Sequence, residues 1–96
     1  MIEVLEAPQF RKWFRGLKDK NAAIAITKRI NRVRGGLFGD VKSVGGGVAE
    51  LRFHLGAGHR VYFLKRGLTV VILLYGGDKS SQGGDIEKAK EIAKTV

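Results

Sequence analysis

Residues 49–82 read AELRFHLGAGHRVYFLKRGLTVVILLYGGDKSSQ, and this segment predicts most of a β-sheet. It predicts three strands joined by two tight turns. In the first strand, residues 50–55, polar and apolar residues alternate, which is typical of a strand with one buried and one solvent-facing side. The second strand, residues 59–64, repeats the alternation. Residues 70–74 are a continuous apolar run, which is expected of a strand covered on both faces.

The turns bring the polar side chains of these strands together. Residues 56–58 (GAG) and 65–67 (KRG) are the two predicted turns, and the third strand stops where Tyr75-Gly76-Gly77-Asp78-Lys79 begins. If the strands pair in order, one open sheet face and its end collect the following residues: Arg52, His54, Arg60, Asp78 and Lys79.

The rest of the chain predicts helices around this sheet. Residues 2–5 form a strand candidate, and Pro8 suits the first turn of a helix whose aromatic stripe, Phe10 to Leu17, predicts core. Asn21 is the expected N-cap of a second helix. Residues 41–44 predict a short strand, residues 80–84 a linker, and Asp85 the cap of a final short helix. The order of elements predicts one domain, residues 1–96, of class α+β with a largely antiparallel sheet.

Composition indicates a polyanionic partner. The 96 residues carry a net charge of +9 and no cysteine. The positive charge belongs to the body of the chain, because the last seventeen residues are neutral in sum. RNA, DNA or the ribosome would suit such a field, although many small bacterial proteins are simply basic. The acidic N-terminus and the absence of a long apolar run predict a soluble cytoplasmic protein without membrane contact.

The collected side chains predict phosphate chemistry. Cleaving RNA through its own 2′-hydroxyl requires a base, cations for the charge that grows on the phosphate, and a donor for the leaving oxygen. Arg52 and Arg60 are the leading phosphate ligands, because a guanidinium pairs with phosphate oxygens in bidentate fashion, and Lys79 is the third. His54 is the best-placed titrating group, and Asp78 could transfer a proton.

Further residues are candidates for binding RNA. Lys28, Arg29 and Arg32 make the outer side of the second helix basic, although such a side is often merely solvated. The aromatic candidates for base stacking are Tyr62 and Tyr75. His59 is a further candidate for binding RNA, although it would point to the opposite side of a regular strand.

Each candidate has an alternative explanation. Arg52 could pair with Glu50, His54 could be an exposed strand residue, Asp78 could only end a strand or pair with Lys79, and Tyr62 could be sheet packing. Two histidines five residues apart and no cysteine do not suggest a metal site, and no cofactor is predicted.

Several segments in combination resemble the RelE/ParE superfamily of toxins, and more narrowly its HigB-like "addiction module killer protein" branch. These segments are GDVK (39–42), VAELR (48–52), GAGHRVYF (56–63) and LYGGDKSSQ (74–82). The resemblance covers nearly the whole chain. It implies a RelE-like (microbial RNase-like) fold, with an N-terminal strand and helical hairpin packed on the sheet and a short C-terminal helix.

The resemblance also implies a function. Such proteins are toxins of type II toxin-antitoxin systems that cut mRNA, commonly on the 70S ribosome, as metal-independent endoribonucleases (mRNA interferases). They arrest growth until a cognate antitoxin, in this branch a HigA-like helix-turn-helix protein, silences them. The family's cations map to Arg52, Arg60 and Lys79. This chain departs in having His59 where an aromatic residue is frequent, and in lacking a tyrosine in residues 83–96.

Two other functions remain open from the sequence. A ParE-like toxin that poisons DNA gyrase without cutting RNA would share the fold. A catalytically inactive RNA-binding module would bind RNA in a salt-sensitive way and release no product.

Overall fold

The computed structural model describes residues 1–96 as an α+β fold with a five-stranded sheet. The strands are β1 Glu3–Glu6, β2 Val41–Gly45, β3 Val48–Arg52, β4 Arg60–Arg66 and β5 Val70–Gly77. The helices are α1 Pro8–Arg15, α2 Lys20–Arg34 and α3 Gln82–Ala93, with one 3-10 turn at Lys79–Ser81. The predicted class and order of elements are therefore confirmed. No helix is long and apolar enough to cross a membrane.

The strands lie in the order β1-β5-β4-β3-β2. Strands β2 to β5 form consecutive antiparallel pairs, and only β1 runs parallel to its neighbour β5. The register between β4 and β5 shifts after Tyr62, so Leu74 is an extra residue on β5. A bulge of this kind bends the strand and re-aims the residues after it.

Helices α1 and α2 cover one face of the sheet. The aromatic stripe of α1 packs here as predicted, with Phe10 buried and the rings of Phe10 and Phe14 stacked at 5.8 Å. The apolar stripe of α2 is formed by Ile26, Ile30 and Val33, and it packs in the same hydrophobic core as Phe10.

Helix α3 covers the other face, and this corrects the expectation of an open polar side. Ala89 and Ile92 of α3 pack on Tyr62, Ile72 and Leu74. The polar positions of β3 therefore do not all meet solvent: Glu50, expected on the solvent side, is fully buried. Alternation in one strand shows which residues share a face, but it cannot show what covers that face.

Three predicted boundaries are wrong. Strand β3 ends at Arg52, two residues before His54, where the chain leaves the ladder as the loop 53–59. The N-cap of α2 is Asp19, whose carboxylate accepts the Ala22 N–H at 3.1 Å, and not Asn21. Helix α3 begins at Gln82, so the expected linker is partly helical and Asp85 lies in the first turn.

Candidate active site

The loop between β3 and β4 encloses a cleft of about 370 Å³ at one end of the sheet. We call this the arginine cleft, and it is lined by Arg52, His54, Arg60, Lys79 and loop residues 53–58. Arg52 and Arg60 are directly opposed in the last pair of the β3–β4 ladder. Side chains of directly opposed residues lie on the same face, so both guanidinium groups reach the same end of the sheet. Four of the five residues predicted as catalytic thus line one cleft.

The guanidinium of Arg60 is held in place by contacts on its buried side. Its Nε lies 3.6 Å from a carboxylate oxygen of Glu50, and its Nη1 donates to the Gly58 carbonyl at 2.7 Å. Glu50 is fully buried, and both of its oxygens accept from the Gln82 side-chain amide at 3.2 Å. The arginine side chain itself is only 13% exposed. A planar guanidinium fixed on one edge in this way presents its remaining N–H groups in one orientation.

Arg52 is held by contacts at the surface, and its partner is Asp40, not Glu50, the partner considered as an alternative from the sequence. The Asp40 carboxylate accepts from Nε and Nη2 of Arg52 at 3.2–3.3 Å. Both side chains are about one-third exposed, at 32% and 33%. Asp40 sits immediately before β2, and its backbone carbonyl accepts the Arg52 N–H at 2.9 Å. This contact ties the start of β2 to the end of β3.

Asp40 also orients His54. The Nε2 atom of His54 lies 2.5 Å from the second carboxylate oxygen, and the imidazole is otherwise 73% exposed. Hydrogen bonds from His54 first and Arg52 second lower the pKa of the Asp40 carboxyl. An ionised carboxylate only accepts hydrogen bonds, so Nε2 must be the donor. In the neutral imidazole Nδ1 is then the atom that can accept a proton.

Lys79 and Asp78 follow β5, but only Lys79 faces the arginine cleft. The side chains of Lys79 and Arg60 both pass beside Gly58, whose φ is +70°. A side chain at residue 58 would be strained in this conformation, and its Cβ would touch the Lys79 and Arg60 side chains at van der Waals distance.

Asp78 instead caps the 3-10 turn. Its carboxylate accepts from the backbone N–H and the hydroxyl of Ser80, at 2.9 and 2.5 Å. The Ser80 side chain is the main cause of a lowered pKa for Asp78. The structure therefore shows Asp78 as an ionised cap, which is unsuited to donating a proton at neutral pH.

The predicted RNA-binding residues of α2 divide into two groups. Lys28 and Arg32 are exposed, as expected of a binding surface. Arg29 instead reaches inward: its Nη2 donates to the Arg52 carbonyl at 2.9 Å, and its guanidinium lies 4.4 Å above the Phe53 ring. Burial lowers the pKa of Arg29. Arg29 therefore fastens α2 to the end of β3 and, unlike Lys28 and Arg32, already uses its guanidinium within the protein.

His59 and Tyr62 are buried. Tyr62 is fully enclosed under α3, and burial raises the pKa of its phenol, which therefore stays neutral. Ordinary sheet packing, the alternative left open for Tyr62, is what the structure has. His59 is 6% exposed and lies 6.4 Å from the Trp13 ring, on the face opposite Arg60. Neither side chain offers a ring to an RNA base.

Tyr75 is half-buried and lies outside the arginine cleft. It lines a separate cleft between α1 and α3, where Lys88 Nζ is 5.5 Å from its ring centroid. A role in base stacking is therefore sterically open to Tyr75, but at a second location.

Sequence reasoning missed three residues that shape the arginine cleft: Asp40, Glu50 and Gln82. Asp40 and Gln82 lie in segments 39–42 and 74–82, which carry the family resemblance, so this was an available signal. Glu50 also lies in such a segment, 48–52, but its position in an alternating strand predicted an exposed side chain. No group of three or more His, Asp or Glu side chains is arranged to hold a metal ion.

Comparison with known proteins identifies a relative that matches nearly the whole chain. The chain is 44% identical over 95 residues to an uncharacterized protein of Haemophilus influenzae. The match covers 99% of this chain and 96% of that protein. No family model matches the chain.

Proposed function

The chain belongs to the same protein family as the Haemophilus influenzae protein, and we propose that it is a metal-independent endoribonuclease acting as a toxin. In this proposal the fold is RelE-like. The toxin cleaves mRNA, on the 70S ribosome, in the cytoplasm, and so inhibits translation and growth. A HigA-like antitoxin silences it.

The observation that carries the proposal is the convergence of three cations and one histidine on the arginine cleft. Arg52, Arg60 and Lys79 line its wall, and none of the residues lining it is acidic. The two carboxylates that neutralise the arginines, Glu50 and Asp40, contact them from behind and from the rim. Such a cleft suits a phosphodiester, whose negative charge increases in the transition state.

In the proposed reaction the imidazole of His54 acts as the base. Its Nδ1 takes the proton from the 2′-hydroxyl, and the 2′ oxygen attacks the adjacent phosphorus. The bond from phosphorus to the 5′ oxygen breaks, leaving a 2′,3′-cyclic phosphate and a 5′-hydroxyl that takes its proton from solvent. Asp40 keeps the imidazole oriented through Nε2.

The cations stabilise the charge of this reaction. Arg60 and Arg52 donate to the non-bridging phosphate oxygens, and the Lys79 ammonium lies against the leaving 5′ oxygen. Because Arg60 is anchored before substrate arrives, little reorganisation is needed when the charge develops. Removing one such donor typically costs about a hundred- to a thousandfold in rate.

The experiment is cleavage mapping of a defined mRNA in a reconstituted translation system, with and without ribosomes. Arg60→Lys is the sharpest variant, because it keeps a cation beside Glu50 but loses the planar donor set. We expect its cleavage rate to fall at least about a hundredfold. Arg66→Ala is the matched control, since Arg66 is exposed at the opposite end of the same strand.

The possible outcomes distinguish between the candidate functions. Cuts that need ribosomes and disappear with Arg60→Lys support the proposal. Cuts on free RNA would make the protein a ribonuclease without ribosome dependence. No cuts at all, combined with DNA breaks and inhibited gyrase, would replace the proposal by the ParE-like function. No cuts with salt-sensitive RNA binding would make it an inactive RNA-binding module.

A further inference from the structure

A second cleft, of about 500 Å³, lies between α1 and α3 beside Tyr75 of β5. We call it the α1–α3 cleft. Its aromatic walls are Trp13 and Tyr75, with Leu17 beside them, and its cations are Lys12, Lys18 and Lys88. No acidic residue lines it, and all three lysines are exposed.

The topology of the sheet creates this cleft. Strand β1 pairs only with residues 70–73 of β5, so the C-terminal half of β5 has no neighbouring strand on that side. Helix α1 begins two residues after β1 and runs along the uncovered part. A Cβ at Gly76 would lie 2.3 Å from the Trp13 ring, so glycine is what lets the indole rest on the strand. The close approach of the indole to β5 therefore depends on glycine at residue 76.

The side chains of the α1–α3 cleft suit single-stranded nucleic acid. Bases stack on aromatic rings without requiring a given sequence, and lysines track the neighbouring phosphates. Tyr75 and Trp13 are both half-buried, so each ring is supported by the protein and has an open part. Lys88 lies over the Tyr75 ring and could exchange this contact for a phosphate. An acidic peptide would use the three lysines but would leave both rings without a matching group.

The cleft is also close to the arginine cleft. The two clefts are connected through the end of β5, because Tyr75 lines the α1–α3 cleft and Lys79, four residues further along the chain, lines the arginine cleft. Four residues span at most about 14 Å, so one RNA strand could pass from one cleft to the other within a few nucleotides.

We propose that the α1–α3 cleft binds a nucleobase of single-stranded RNA, with the adjoining phosphates on Lys12, Lys18 and Lys88. The inference rests on the proposed function for the identity of the strand, which is the one whose scissile phosphate occupies the arginine cleft. The cleft then acts as a subsite that positions the RNA.

The single tryptophan makes the test direct, because Trp13 lines this cleft and no second tryptophan contributes to the signal. The probe is a ten-nucleotide 2′-O-methyl oligoadenylate, which lacks the 2′-hydroxyl and cannot be cleaved. We expect saturable quenching of the full chain. The double variant Lys12→Ala/Lys88→Ala should lower the slope of log affinity against log salt by about 1.4, at about 0.7 per lost phosphate contact. Tyr75→Leu should weaken binding about 5- to 150-fold.

Lys94→Ala is the matched control, since Lys94 is exposed at the far end of α3 and should retain native affinity. Thermal unfolding checks that each variant is folded. If the RNA probe did not quench Trp13 fluorescence, the proposed subsite would be refuted, even if ordinary RNA were cleaved. Quenching by a glutamate decamer but not by RNA would overturn it in favour of an acidic protein segment. Quenching that the variants weaken, in a protein that cleaves nothing, would support the subsite and refute the nuclease.

Discussion

The two arginines of the arginine cleft are held in opposite ways. Arg60 pairs with a fully buried glutamate, whereas Arg52 pairs with an aspartate that is one-third exposed. The buried pair has additional partners that the fold supplies, in Gln82 and the Gly58 carbonyl. The exposed pair shares its carboxylate with a histidine. We infer that the first arrangement fixes the shape of the cleft and that the second sets its proton chemistry.

The largest expected effect comes from breaking the buried Arg60–Glu50 pair. Arg60→Ala leaves the Glu50 carboxylate buried without a cation, which typically costs about 3–5 kcal/mol of unfolding free energy. Arg52→Ala, which breaks the exposed pair, should cost about 1 kcal/mol or less. Urea denaturation measures both, with Arg11→Ala, at an exposed position of α1, as a control expected within about 0.5 kcal/mol of the native chain. Equal losses at Arg60 and Arg52 would remove the distinction between the two pairs.

A smaller effect is expected when the support of Glu50 is removed. Gln82→Leu keeps the apolar body of the side chain but leaves two buried carboxylate oxygens without this donor, at a typical cost of about 1–3 kcal/mol. Gln9→Leu, at an exposed position in the first turn of α1, is the control. Chemical denaturation of both variants tests the role of Gln82. If the two were equally stable, the amide would contribute nothing to holding Glu50.

The smallest expected effect is a pH dependence of stability that arises at the exposed Arg52–Asp40 pair. The pKa of Asp40 is lowered in the folded protein, so its stabilising contribution is present above its ordinary pKa of 3.8. This contribution is lost as the pH falls through the lower folded pKa. The stability difference between the native chain and Asp40→Asn should therefore shrink below about pH 3.8.

Thermal unfolding of the native chain and Asp40→Asn over a pH series provides the measurement. Asp78 has its pKa lowered in the same direction and is present in both proteins, so it cancels in the difference. A difference that stays the same from about pH 6 to pH 2 would show that Asp40 has no stabilising partner.

Much of the cleft could be predicted because it lies on adjacent strands. The alternation of β3 and β4 places Arg52 and Arg60 on one face, and the turn between them is short, so local pattern is sufficient. Lys79 follows from the abrupt end of the apolar run in β5. The partners of these cations could not be predicted in the same way. Asp40 is twelve residues from Arg52, and Gln82 is thirty-two from Glu50.

The elements, their order and the residues that share a face follow from local sequence, because they depend on periodicities within a few residues. Which faces are covered depends instead on tertiary packing. Packing of α3 turned Glu50 and Tyr62 from apparent surface residues into buried ones, and it made Glu50 the anchor of Arg60. The same packing, with α1 beside the free part of β5, formed the α1–α3 cleft. Burial of a residue depends on segments distant in the chain, and a local pattern carries no information about them.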